Sequence, residues 1–349
     1  AFTELGVPLM FNYTRVTPVQ IFNGIRSIGG NPLPYALVVV TLVTTVLLYA
    51  LSKFLFGKSH SMMAKATSQG GPRKISAFSA ILCTTVFAGI TFLAILPHLG
   101  VVLVAFSKNW YATILPTGWT LEHFQSALGN NLTLPSIQNS LQYAGLATIV
   151  DVLLGIAIAY VVTRTTLPGR ELLDALAMLP LAVPGLVLAF GYLAMTQEGK
   201  PFAFMNPVKD PLMILVIAYS LRRLPYVVRS AAAGFQQTSV TLEEAAQNLG
   251  CSPLRALRKI TIPLIAANLL AGGLLAFSFA MLEVSDSLLL AQKQQDFPIT
   301  KAIFELYQLL GEGPYLACAL GVWSMLFLAV TIIGVSLLLG KKLGAIFRV

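Results

Sequence analysis

Charge is the scarcest commodity in this chain. Only 11% of its 349 residues are Asp, Glu, Lys or Arg, whereas 56% are hydrophobic. A soluble globular domain carries about 25% charged residues, and the mean hydropathy of +0.78 points the same way. This excludes a soluble protein with a large core and predicts an integral membrane protein. Cysteine is equally sparse. Cys83, Cys251 and Cys318 have no C-x-x-C spacing, which excludes a disulfide framework and a thiolate metal cluster. The three histidines, His60, His98 and His123, are scattered and read as isolated loop or span-end residues. No Gly-rich phosphate loop, no G-x-x-x-x-G-K-[ST] and no Ser/His/Asp set occurs, so nothing predicts catalysis, a bound cofactor or a metal site. The net charge of +9 belongs to loops flanking membrane spans and does not indicate a nucleic-acid partner.

What the chain has in abundance is long apolar runs. A span needs about 20 such residues, and seven stretches qualify: 33–56, 77–106, 138–163, 172–196, 211–233, 264–290 and 317–340. The predicted fold class is therefore all-α and polytopic. Placing 57–76, 164–171, 234–263 and the C-terminal tail on one side, with Arg222 and Arg223 as nearby span ends, puts 16 of the 23 Lys and Arg residues there. By the positive-inside rule that side is cytoplasmic. The segment 107–137 is then external, and its Trp110, Tyr111, Trp119 and Phe124 read as an interfacial anchor.

One cytoplasmic loop, 240–263, is polar and carries dense local signals. Thr241 is placed to N-cap a helix with Glu244 closing a capping box. Glu243 and Glu244 suit the first turn, Ala245 and Ala246 leave room for a close partner, and Gly250 sits where a left-handed turn ends the helix. Pro253 opens a second helix with a basic face of Arg255, Arg258 and Lys259, and Pro263 marks the return to the membrane. A structural elbow or a DNA-reading helix-turn-helix would share some of these signals.

Within the spans, Pro180, Pro184 and Gly185 predict a break near mid-membrane, either a pathway hinge or an ordinary kink. Glu283 and Asp286, three apart, are expected on one face of the sixth span, either lining a pathway or facing external water. Asp151 calls for a polar structural partner. A gapped internal repeat aligns 2–10 (FTELGVPLM) with 281–289 (MLEVSDSLL), bringing Glu4 opposite Glu283. It divides the chain into a one-span remnant of a first unit (1–56), a basic linker (57–76) and a six-span second unit (77–349).

The pattern Glu244-Ala245-Ala246, then Gly250, then Ile260-x-Ile262-Pro263 resembles the signature of permease subunits of binding-protein-dependent ABC importers. Three further stretches are similar to fused ferric-iron permeases: Leu179–Gly185 with Tyr192, Arg222–Arg229, and the N-terminal Phe2–Leu9. The resemblance implies a MetI-like six-span permease unit in a bacterial inner membrane, with its C-terminus in the cytoplasm. It implies coupling through Glu243, Glu244, Ala245, Ala246, Gly250, Ile260 and Pro263 to a cytoplasmic ATPase dimer that uses the ATP. The other implied partners are an extracytoplasmic binding protein, a second permease unit and membrane lipid. Ferric iron is the cargo it favours, with polyamine, aminoethylphosphonate and thiamine as alternatives. An ion-coupled secondary transporter, which would show inverted repeats, is the competing class.

Overall fold

The computed structural model describes residues 4–26, 32–56, 76–110 and 112–346. Most of the proposed linker, 57–75, and also Phe2, Thr3 and Tyr111 lie outside the described residues. Among the described residues there are helices and no strand; an isolated bridge joins Ser107 to Trp119. The helices are α1 (Gly6–Met10), α2 (Thr17–Arg26), α3 (Leu33–Phe56), α4 (Ala77–Phe106), α5 (Glu122–Gly129), α6 (Thr133–Arg164), α7 (Arg170–Met178), α8 (Gly185–Met195), α9 (Leu212–Gln237), α10 (Val240–Asn248), α11 (Pro253–Ala256), α12 (Ile262–Leu264), α13 (Ala266–Met281), α14 (Ser285–Leu290), α15 (Ile299–Tyr307) and α16 (Gly313–Ile346).

The seven apolar stretches fall on these helices, some of them continuous and some broken. Among the described residues three helices are long and apolar enough to cross a membrane, or up to five if each of two bent pairs counts as one span. The fourth stretch bends by 101° between Arg170–Leu181 and Gly185–Met195. The sixth bends by 75° at its entry, between Pro253–Leu264 and Ala266–Met281, and breaks again before α14. The fifth, α9, has the length, about 39 Å at 1.5 Å per residue, but carries Arg222, Arg223 and Arg229. Prolines and buried charges thus split runs that a hydropathy average joins.

Contacts divide the chain into two units. One comprises Ala1–Val46, Asn130–Phe304 and Ser324–Val349; the other comprises Leu47–Gly129 and Glu305–Trp323. In the second, Ala105, Ala127, Leu316 and Ala319 form a small core. His123 is buried beside it, corrected from an isolated loop residue. It bonds the Ser107 carbonyl at 3.0 Å and stacks on Tyr315. Tyr315 accepts from the Trp110 N–H at 3.0 Å, so Trp110 is tied to the protein.

In the first unit, α6, α9 and α13 pack on one another. Lipid tails are as apolar as leucine, so close backbone approach has to supply the attraction. A Cβ on Gly155 of α6 would lie 2.7 Å from Val227, and one on Gly272 of α13 would lie 2.7 Å from Ser230 Cβ. Glycine lets both helices approach α9 at these points.

The N-terminal residues join the same unit. Leu5, Val19, Ile21 and Phe22 are buried against Leu186, Leu288, Leu289 and Phe304. The order of α1, α2 and α3 repeats that of α14, α15 and α16: a turn-length helix, one of about ten residues, and a long apolar one. The register agrees with the sequence repeat. Glu4 stands two residues before α1 and Glu283 two before α14, while Pro34-Tyr35 and Pro314-Tyr315 hold matching places in the long helices.

Candidate functional site

Two polar constructions stand out. The first is the loop between α9 and α13. Helix α10 is N-capped by Ser239, whose hydroxyl accepts from the Thr241 N–H at 3.3 Å. This corrects the expected capping box of Thr241 and Glu244. A hydroxyl two residues earlier reaches the free N–H first, and Glu244 is left exposed. The C-terminus follows expectation. Gly250 has φ +88°, its N–H bonds Gln247 O at 2.9 Å, and the Cys251 N–H bonds Ala246 O at 3.0 Å. These two bonds are a Schellman turn. Pro253 opens α11, and Leu257–Thr261 widens into a π-turn. Pro263 follows two residues on; its ring would press on the Lys259 carbonyl in a regular helix, and the wider turn relieves that contact.

The seven loop residues are not equivalent. Glu244 and Ala245 are exposed and Ala246 is half-buried. Beside them Leu249 is 90% exposed and Leu254 75%. The loop therefore exposes acidic and apolar side chains next to one another in sequence. Ile260 is half-buried and Pro263 exposed. Glu243 points inward. It is buried, and its Oε1 takes the Arg164 Nε at 3.2 Å and the Thr261 hydroxyl at 3.0 Å.

The second construction lies midway along α9. Arg222 Nη1 donates to Glu283 Oε1 at 2.8 Å, and Arg223 Nη2 pairs with Glu283 Oε2. Asp286 Oδ2 is 3.8 Å from Arg222 Nη1, beyond hydrogen-bond reach. This corrects two expectations. Arg222 and Arg223 are mid-helix residues rather than span ends, although removing them from the cytoplasmic tally leaves its excess of positive charge in place. Glu283 and Asp286 do not share one helix face either: Glu283 sits in the break between α13 and α14, and Asp286 lies within α14. Both are buried, so they do not face external water. The break is held by its own bonds, because the Glu283 carbonyl accepts from Ser287 at 2.5 Å and Thr300 at 2.6 Å. The buried Lys301 caps the other end of α14, donating to Leu288 O at 3.1 Å and Ala291 O at 2.6 Å.

Pro180 and Pro184 bring the fourth stretch into this cluster. Pro180 lies in the 3₁₀ turn Leu179–Leu181, and Pro184 caps α8. At the bend a Cβ on Gly185 would stand 1.9 Å from Arg222 Nη1. The guanidinium therefore occupies the space a side chain would need. Asp151 finds its polar partner in Ser220, whose hydroxyl donates to it at 2.7 Å. Sequence reading missed Arg164, Thr261 and the Arg222–Glu283 pair. The one available signal was that Arg222 and Arg223 stand within an apolar run, where charge demands a partner. Among the described residues no group of His, Cys, Asp and Glu could hold a metal ion.

Known proteins resemble this chain in sequence and in fold. Against the ferric transport system permease protein FbpB of Actinobacillus pleuropneumoniae it is 32% identical over 184 residues, 52% of this chain and 26% of that one. Against the molybdate/tungstate transport system permease protein WtpB of Pyrococcus furiosus it is 29% identical over 194 residues, 55% and 75% respectively. The chain thus spans about a quarter of the ferric relative's length. The crystal structure of a bacterial alginate ABC transporter, in complex with an alginate pentasaccharide-bound periplasmic protein, shares the fold. Its TM-score is 0.60 at 18% identity, covering 76% of this chain and 94% of that one. Residues 151–338, which contain the E-A-A loop and the ionic cluster, match the family of binding-protein-dependent transport system inner membrane components. With more than half of its length matched, the chain belongs to that family.

Proposed function

We propose that this chain is a permease of an ATP-driven importer, in which a cytoplasmic ATPase dimer docks on the exposed face of α10 and supplies the energy. The observation that carries this is the face itself. Glu244, Ala245, Leu249 and Leu254 are exposed on a loop shaped by its own caps and backbone bonds. An exposed apolar patch rimmed by polar groups marks an interaction site. A structural elbow has no use for it. Hydrolysis then takes place in the partner, and this chain binds no cofactor of its own.

On this reading the loop side is cytoplasmic, the chain lies in a bacterial inner membrane with its C-terminus inside, and a binding protein delivers cargo from outside. Residues 1–56 are the end of a first permease unit, supported by the correspondence of α1–α3 with α14–α16. Pro180, Pro184 and Gly185 are the hinge of a broken span, and Glu283 and Asp286 are part of the adjoining cluster. Ferric iron is the cargo. The ferric relative supports it: the 184 matched residues are 26% of that protein, which makes it a chain about twice as long as this one, as two fused permease units require. An oxyanion cargo is the second reading, favoured by the molybdate/tungstate relative, which this chain covers more fully.

Uptake of radiolabelled ferric iron by cells carrying the full-length permease with its ATPase and binding protein tests the proposal. Wild type is expected to accumulate iron and Glu244→Lys to accumulate none. Accumulation of molybdate and not iron would replace the cargo and keep the importer. Gly250→Val is a second test. No atom lies within 4 Å of the added Cβ, so the cost is purely backbone, about 1–2 kcal/mol for a left-handed residue. The variant is expected in the membrane at wild-type amount, with uptake lost. Normal uptake by it would remove Gly250 from the coupling loop.

A further inference from the structure

Glu243 belongs to the coupling loop by sequence, yet its side chain is buried against Arg164 and Thr261 of this chain. The Arg164 and Glu243 side chains are 7% and 8% exposed. Arg164 is the last residue of α6. Besides Glu243 it bonds Thr238 twice, through the carbonyl at 2.8 Å and the hydroxyl at 2.9 Å, and its guanidinium lies 5.7 Å above the Phe235 ring. Thr261, from the π-turn that leads back to the membrane, holds the same Glu243 oxygen. One carboxylate therefore ties α10 to the end of α6 and to the entry of the sixth span. Thirteen residues earlier on α6, Asp151 accepts from Ser220 of α9. Ser220 is two residues from Arg222 of the Glu283 cluster.

Resting on the importer reading, we propose that Arg164 is a positioning residue that fastens α10 to α6, so that the two move as one body and α6 delivers the motion to α9. Glu243 transmits and Glu244 docks. A largely buried charged pair suits this role. Glu243 Oε1 already accepts from two groups of this chain, and removing either charge leaves the other largely buried without its counter-charge.

The full-length permease purified with its ATPase provides the test. Nitroxide labels at the exposed Leu242 of α10 and Leu153 of α6 report their separation without and with a non-hydrolysable ATP analogue. In wild type the distance is expected to stay constant between the two states. In Arg164→Gln it is expected to shift with nucleotide, and iron uptake per ATP hydrolysed to fall about tenfold, within the usual range of coupling energies. The ATPase should still co-purify, because the docking face is untouched. Thr261→Val, which removes one bond and keeps shape and charge, should give a smaller effect of the same sign. The swap Arg164→Glu with Glu243→Arg should restore the constant distance. A distance that shifts with nucleotide in wild type, or that stays constant in both variants, would overturn the proposal. Loss of the ATPase from Arg164→Gln alone would make Glu243 a docking residue and also overturn it. Failure of the ATPase to bind wild type would instead refute the importer reading beneath it.

Discussion

Glu283→Gln is expected to destabilise the detergent-solubilised protein by about 3–5 kcal/mol, the usual result of removing one partner from a buried ion pair. Glu283 is 3% exposed and pairs directly with Arg223 and with Arg222, which a more distant Asp286 also approaches. The two arginine side chains are only 21% and 12% exposed, so water cannot take over the role of the carboxylate. Glutamine keeps the size and one acceptor oxygen but not the charge. The test is thermal unfolding of the purified variant. The triple variant Arg222→Met, Arg223→Met and Glu283→Met should recover most of the loss, because well-packed apolar side chains substitute for buried pairs. An unchanged unfolding temperature for Glu283→Gln would mean that this carboxylate does not hold the arginines.

Gly185→Ala should damage the same cluster from the other side. The added Cβ would lie 1.9 Å from Arg222 Nη1 and 2.6 Å from Cζ, so the guanidinium must leave its place. The expected loss is about 1–3 kcal/mol, in the range for overpacking a filled interior. The informative result is the double-variant cycle. Once Arg222 is removed as Arg222→Ala, Gly185→Ala should be nearly neutral, because the two act through one contact. Additive losses would show that the alanine clashes with something other than the guanidinium.

Local chemistry was legible in the sequence and distant pairing was not. Gly250 could be read as a helix end because a left-handed residue after a helix is a local demand that glycine meets without strain. The start of α10 was misplaced because Ser239 and Thr241 both offer a capping hydroxyl, and sequence alone does not rank them. That Glu243 turns inward and Glu244 outward depends on Arg164, 79 positions away. The Arg222–Glu283 pair spans 61 positions, and a hydropathy window averages both charges into their apolar neighbours. The resemblance of Leu179–Gly185 and Arg222–Arg229 to ferric permeases pointed to these segments without revealing that they meet. Their meeting is geometric, one glycine leaving space for one guanidinium. The prolines of the fourth stretch predicted a break; the break in the sixth, at Glu283, has no proline to announce it.

The central claim is that the outward face of α10 holds the ATPase, and co-purification tests it most directly. Full-length permease should be expressed with the ATPase of its transporter, tagged on the permease alone, and extracted in mild detergent. The ATPase is expected to elute with wild type and with Glu283→Met in the triple variant, and to be absent from Glu244→Lys, although that variant folds and inserts normally. An ATPase that elutes equally with Glu244→Lys, or with none of these proteins, would contradict the account.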